Sequence, residues 1–222
     1  MLVTEKGTRR YIKMKQEIDP KQTSRALAFE LWMKSPMPMV TLVKTFDVTR
    51  LRRASRRQGL KFNMLLCWCI GKAASQIPEF NLLPKDGKLF KYDRLGINVI
   101  VDNVQGGISN CDVPYSDDLQ QFARDYDKLT KESATTCRDI NDDEAMIIGT
   151  SAVVGTELDC IINQYSGIFN NPFLVWGRYK RRWFRTTLTI SLQFHHSQFD
   201  GRQAALFLER LQLTMNTTDS CI

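Results

Sequence analysis

Histidine is the scarcest chemistry-bearing residue of this chain: two in 222 residues, side by side as His195 and His196. Imidazole is the side chain that titrates near neutrality, so histidine-based proton transfer has a single address here. The six cysteines, Cys67, Cys69, Cys111, Cys137, Cys160 and Cys221, form no CxxC pair and lie at irregular intervals away from the histidines. That pattern speaks against a zinc site, so reduced thiols and no metal are expected. Cys67 and Cys69 fall in the apolar stretch Met64 to Ile70, where free cysteine packs as a small hydrophobe.

Long apolar runs are missing as well. No segment approaches the ~18 uninterrupted apolar residues of a membrane span, and the opening MLVTEKGTRRYIKMKQ is charged rather than signal-like. A soluble cytoplasmic protein without a membrane partner is expected. No Pro/Gly/Ser-rich linker, internal repeat or low-complexity segment divides the chain, and 43% hydrophobic composition suffices for one substantial core. Residues 1–222 therefore read as a single domain, with 1–17 an N-terminal extension and 214–222 a polar tail that frays.

Acidic residues are outnumbered, 24 against 31 basic, for a formal charge of +7. Arg50, Arg52, Arg53, Arg56 and Arg57 lie on an expected helix. Arg178, Lys180, Arg181, Arg182 and Arg185 surround an expected hairpin turn. Solvated surface is the plain reading, phosphate binding by a few of these cations the sharper one, and nucleic acid is not expected because no binding motif accompanies the charge.

Thr23 and Ser24 introduce a first helix within 20–35, stopped by Pro36 and Pro38. A strand over 40–48, a basic helix over 49–58 and an apolar helix over 62–76 follow. Strands are expected at 88–91, 95–102 and 107–111. A helix over 116–133 turns Leu119, Phe122, Tyr126 and Leu129 inward. The acidic stretch 138–144 reads as a loop or exposed helix start. Residues 146–154, 158–162, 173–178 and 185–194 are strand-like. This mixture without regular alternation predicts an α+β two-layer sandwich, a large mixed but mostly antiparallel sheet packed by helices.

Leu188, Ile190, Leu192 and Phe194 alternate with polar residues up to the histidines, as in a half-buried strand. Beyond Gly201, Ala204, Phe207, Leu208 and Leu211 recur at helical spacing. His196 thus stands at a strand end feeding a tight turn, a rigid platform for a side chain aimed into a cleft.

The run from His195-His196 to Asp200-Gly201, HHxxxDG, resembles the centre of the chloramphenicol acetyltransferases. More distantly it resembles those of dihydrolipoyl acyltransferases and peptide-synthetase condensation domains. The resemblance covers residue 18 to the end. It is carried also by Ile18-Asp19 with Arg25, by Phe46-Asp47-Val48-Thr49, and by Ile77-Pro78-Glu79-Phe80. Lys85-Asp86-Gly87-Lys88-Leu89 and Pro114-Tyr115-Ser116 with Asp118, Gln121 and Phe122 extend it. Condensation domains join two such halves, so the chain's length favours the first family.

The resemblance implies acetyl-CoA as acyl donor and a small hydroxyl compound as acceptor, chloramphenicol by default, with antibiotic resistance as the consequence. It implies His196 as general base, His195 as structural, Ser151 as oxyanion donor, and a buried Asp200–Arg25 ion pair that holds the turn. A plain helix cap is the competing reading of Asp200. Lys61 and Arg178 match positions near the phosphates of coenzyme A. Trp32, Ile108 and Val175 fall at acceptor-lining positions but depart from the family's tyrosine, phenylalanine and threonine, and Val154-Gly155 replaces its Pro-Trp. These departures imply a reshaped acceptor pocket. A homotrimer with active sites between subunits is implied too. The competing functional readings are transfer from a carrier-bound thioester, another alcohol or amine acceptor, and a catalytically inactive binding or regulatory relative.

Overall fold

A computed structural model describes residues 15–165 and 167–218. The chain opens with β1 (Lys15–Ile18), a single 3-10 turn over 20–22 and α1 (Ala26–Trp32). Then come β2 (Met39–Asp47), α2 (Thr49–Gln58) and α3 (Phe62–Ala74). A second 3-10 turn leads to β3 (Leu82–Lys85), β4 (Lys88–Tyr92), β5 (Leu95–Asp102) and β6 (Ile108–Pro114). The remaining elements are α4 (Leu119–Thr136), β7 (Met146–Val153), β8 (Phe173–Gly177), β9 (Lys180–Arg182), β10 (Arg185–His195) and α5 (Gly201–Thr217).

The main sheet has seven strands in the order β2-β10-β8-β7-β5-β6, with β9 folded onto β10. Its β10–β2, β10–β8, β10–β9 and β5–β6 pairings are antiparallel, while β5–β7 and β7–β8 are parallel. The expected mixed, mostly antiparallel sheet and α+β class are what is observed. A small antiparallel sheet, β1-β4-β3, stands apart from it.

Local chemistry sets the helix ends. α2 buries Leu51 and Ala54, exposes Arg50, Arg53, Arg56 and Arg57 while Arg52 is partly buried, and stops at Gly59, whose φ of 66° is left-handed and suits a residue without Cβ. α3 is buried nearly all round, and its Cys67 and Cys69 are core residues. Burial pushes the Cys67 thiol up to about 12, so it stays protonated and unreactive. Asp118 caps α4 by accepting from the Gln120 and Gln121 amides. In α4, Leu119, Phe122 and Tyr126 are buried and Leu129 packs at the margin of the core.

Several sequence expectations change. Residues 158–162 form no strand, because the neighbouring strands β7 and β8 each already have two partners and offer no edge. Just beyond this segment, Asn163 ties the loop to the sheet, its Nδ2 donating to the Phe173 carbonyl at 3.4 Å and its carbonyl accepting from Gln193 Nε2 at 2.9 Å. β10 is not half-buried at its end: Ser191, Gln193 and His195 are as enclosed as Leu192 and Phe194. It is an inner strand with this loop lying over its polar side. The first helix is one short element, 26–32, with Leu27 and Leu31 exposed. Residues 138–144 form a loop that touches the sheet through an isolated Cys111–Ile140 bridge. At the termini, Lys15 to Ile18 pair with β4, so the expected extension already joins the fold there. Of the tail expected to fray, residues 214–217 instead belong to α5, with Met215 and Thr218 buried. Residues 219–222 and 1–14 lie outside the described residues.

Candidate active site

His195 is the last residue of β10, and His196 continues the ladder by one bond, its amide donating to the Pro38 carbonyl at 2.8 Å. The chain then turns through Ser197–Phe199 into α5. Arg25, just before α1, holds this turn with three donors of one guanidinium. Nη2 donates to the His196 carbonyl at 2.9 Å, Nε to the Ser197 carbonyl at 3.3 Å, and Nη1 to Asp200 Oδ2 at 2.9 Å. The geometry is an ion pair joined to two backbone contacts, so it fixes the angle of the turn as well as neutralising charge.

Asp200 satisfies both sequence readings with different oxygens. Oδ2 faces Arg25, while Oδ1 accepts from the Arg202 amide and caps α5 in a capping box with Gln203. The pair is buried on one side only: the Arg25 side chain is 4% exposed and that of Asp200 42%. Arg25 holds the Asp200 carboxyl below its ordinary range, with the helix-cap amide adding to the effect against the opposing cost of burial.

The two imidazoles meet different surroundings. His195 is 1% exposed, and its Nδ1 accepts from the Ser197 amide at 3.1 Å. Burial, with the neighbouring His196 adding to it, lowers its pKa to about 4. It is therefore neutral at pH 7, with its proton on Nε2. His196 is partly exposed and stacks flat on Trp32, ring centroids 4.6 Å apart and planes 4° from parallel. Its Nδ1 is buried with no hydrogen-bond partner among the described residues.

Ser151 is elsewhere in the chain. It sits in mid-sheet on β7, opposite Val175 of β8, which in turn faces Ser191 of β10. His196 lies five positions beyond Ser191, so strand geometry separates it from Ser151 by about 17 Å along the sheet and 10 Å across. Ile108 is farther still, 69% exposed at the start of edge strand β6. One copy thus brings together His196, Trp32, Arg25 and Asp200, and separately Ser151 and Val175, but does not join the two groups.

Lys61 and Arg178 do come together. They line one cavity of about 770 Å³ with Arg181, Tyr179, Asn63 and Val154 among its other walls. That volume suits a small-molecule ligand. The cavity reaches Val154 and Gly177, at the ends of the strands that carry Ser151 and Val175. Lys61 pairs with Asp127 at 2.8 Å. Sequence reading missed Tyr179, whose aromatic wall is set by the Arg52 guanidinium over its ring at 5.7 Å, and it missed the stack on Trp32. Neither contact has a local sequence signal, since each joins distant elements. Among the described residues no group of three or more His, Cys, Asp or Glu gathers to hold a metal ion, and no helix is long and apolar enough to cross a membrane.

Comparison with known proteins places this arrangement. A family model described as chloramphenicol acetyltransferase matches residues 14–212. Chloramphenicol acetyltransferase 2 of Escherichia coli is 26% identical over 202 residues, covering 88% of this chain and 94% of that protein. Among solved structures, a chloramphenicol acetyltransferase superposes with a TM-score of 0.76 at 20% identity, covering 91% of this chain and all of its own. A probable dihydrolipoamide acetyltransferase from Listeria monocytogenes superposes at 0.63 with 15% identity, covering 90% of this chain and 93% of its own. With its HHxxxDG turn, Arg25 clamp and seven-stranded mixed sheet, the chain is an acyltransferase and belongs to the chloramphenicol acetyltransferase family.

Proposed function

We propose that the protein is an acetyl-CoA-dependent O-acetyltransferase acting in the cytoplasm on a small hydroxyl compound, with chloramphenicol as the default acceptor. The observation that carries this reading is the fixed presentation of His196, whose turn is gripped by Arg25 and whose ring lies against Trp32. A base held in one orientation at a strand end is what proton abstraction from a bound alcohol requires. His196 Nδ1 is enclosed, which leaves Nε2 to meet the acceptor.

Nε2 takes the acceptor's hydroxyl proton as the oxygen attacks the thioester carbon. The carbonyl oxygen becomes an oxyanion, to which the Ser151 hydroxyl donates. The carbon–sulfur bond then breaks, the acetyl group stays on the acceptor oxygen, and the departing thiolate takes the proton back from the imidazolium. Lys61, Arg178 and Arg181 at the 770 Å³ cavity suit the phosphates of the donor, and Tyr179 offers a ring for its base. No metal and no covalent enzyme intermediate enters this sequence. Trp32, Ile108 and Val175 line the acceptor side in this reading.

The separation of His196 from Ser151 within one chain supports a site completed by a second copy, in a homotrimer with three interfacial sites. One subunit then supplies His196 and its neighbour Ser151 and much of the acceptor pocket. The test is thiol release from acetyl-CoA with chloramphenicol, compared between the wild type and His196→Ala. Release that falls ~10²–10⁴-fold in the variant is the expected result. Release no faster than the variant's rejects chloramphenicol and passes the question to other alcohols and amines.

A further inference from the structure

The β9–β10 hairpin uses a residue its backbone does not favour. Arg182 and Arg185 pair across the hairpin, so Trp183 and Phe184 are its whole two-residue turn. Such turns require positive φ and favour glycine or asparagine. Here Trp183 adopts φ 33°, one of three non-glycine residues at positive φ among the described residues. A bulky residue in that region costs conformational energy, and burial of the side chain is the ordinary return. There is none: Trp183 is 100% exposed and Phe184 88%.

The surroundings are cationic. Lys180 pairs with Asp159 and Arg185 with Asp47, while Arg181 and Arg182, on the strand below the tip, form no ion pair among the described residues. Behind the hairpin runs α2, joined to it by the Thr186 amide donating to Thr49 Oγ1 at 2.8 Å and by Arg52 over Tyr179. Arg53 and Arg56 are exposed on that helix. Two bare rings therefore project beyond a basic base.

We propose that this hairpin docks the protein onto an anionic lipid bilayer, the rings entering the interfacial layer and Arg181 and Arg182 resting among acidic headgroups. Aromatic rings are favoured at the membrane–water boundary, and cations beside them gain from a negative surface potential. The sequence expectation of no membrane partner rested on the lack of a spanning segment, and peripheral docking needs none. A nucleic acid is the lesser fit, because the rings crown a narrow projection and a single strand is held along a groove. Arg181 also lines the cavity given above to the donor's phosphates, so the charge variant below changes Arg182 and leaves Arg181 in place.

The test is co-sedimentation of the full chain with vesicles of phosphatidylcholine alone and of phosphatidylcholine mixed with phosphatidylglycerol. Binding only to the mixed vesicles is expected. A Trp183→Gly/Phe184→Ser variant is expected to bind about tenfold or more weakly. Its glycine relaxes the turn, so its urea midpoint stays at or above that of the wild type and a binding loss cannot be traced to unfolding. Arg182→Glu, a change of two charges, is expected to lower binding roughly thirtyfold at low salt. The proposal is overturned if no vesicle sediments the protein or if the tip variant binds undiminished. It is likewise overturned if a single-stranded oligonucleotide is bound while mixed vesicles are ignored.

Discussion

The two adjacent histidines differ in enclosure, His195 being buried and His196 partly exposed. His195 has a folded pKa of about 4 against an ordinary 6.5. Between those values the unfolded chain takes up a proton that the folded chain refuses, so stability falls as pH drops through this window and is unaffected by His195 above it. Replacing His195 by glutamine should flatten the fall of the urea midpoint between pH 6.5 and 4 relative to wild type. Asp200, Asp47 and Asp117 are held below the ordinary carboxylate range and burial pushes Asp112 above it, but all four are common to both proteins, so the difference between them isolates His195. Trp32 is a second residue-scale case. If it holds the imidazole plane, Trp32→Ala lowers kcat by roughly tenfold, the worth of one stacked pair, with little change in the acceptor's KM, and Trp32→Phe restores most of the loss. A pure acceptor-lining role would raise KM instead. Either way, the His196 ring-proton signal should move downfield in Trp32→Ala, as the indole's shielding is lost. His196, Asp200 and Arg25 were legible because motif and spacing name them. The stack was not, because it brings residue 32 against residue 196 through the meeting of two elements.

At the scale of elements, legibility followed the strength of the periodic pattern. The amphipathic α2, the alternating β10 and the buried α3 stand where the sequence puts them, because each declares its own buried face. The short β1 and β3 carry four residues each and exist through pairing with β4, which no local pattern encodes. Residues 158–162 have strand-like composition, but the strands that flank them in sequence, β7 and β8, already have two partners each. The strand that carries Ser151 makes a test of packing. A Cβ at Gly149 would lie 2.2 Å from Phe173 Cδ2, so the Phe173 ring can lie across residue 149 only because that residue has no side chain. Gly149→Ala should force the Phe173 ring aside at a cost of about 1–3 kcal/mol, read from the urea midpoint. Because Ser151 is two positions on and Val175 two beyond Phe173, acetyl transfer should fall as well. A Phe173→Leu second change that makes room should recover part of both.

For the molecule as a whole, the separation of His196 from Ser151 has a direct consequence in mixtures. If the protein is the homotrimer proposed above, with His196 and Ser151 meeting at each interface, neither the His196→Ala nor the Ser151→Ala protein contains a site with both groups, and each alone should lose ~10²-fold or more of its activity. When the two variants are denatured, mixed in equal amounts and refolded, subunits combine at random. An interfacial site is then intact when its His196 comes from the Ser151→Ala copy and its Ser151 from the His196→Ala copy. In a cyclic trimer with one such pairing per interface, about a quarter of sites meet that condition, and about a quarter of wild-type activity should return. Were both groups drawn from one chain, every site in the mixture would lack one of them and no activity would return. Recovery near a quarter would therefore locate the reaction between subunits, while a flat baseline from refolded, trimeric mixtures would sink the interfacial assignment. Refolding the wild type in parallel sets the ceiling against which the recovered fraction is read.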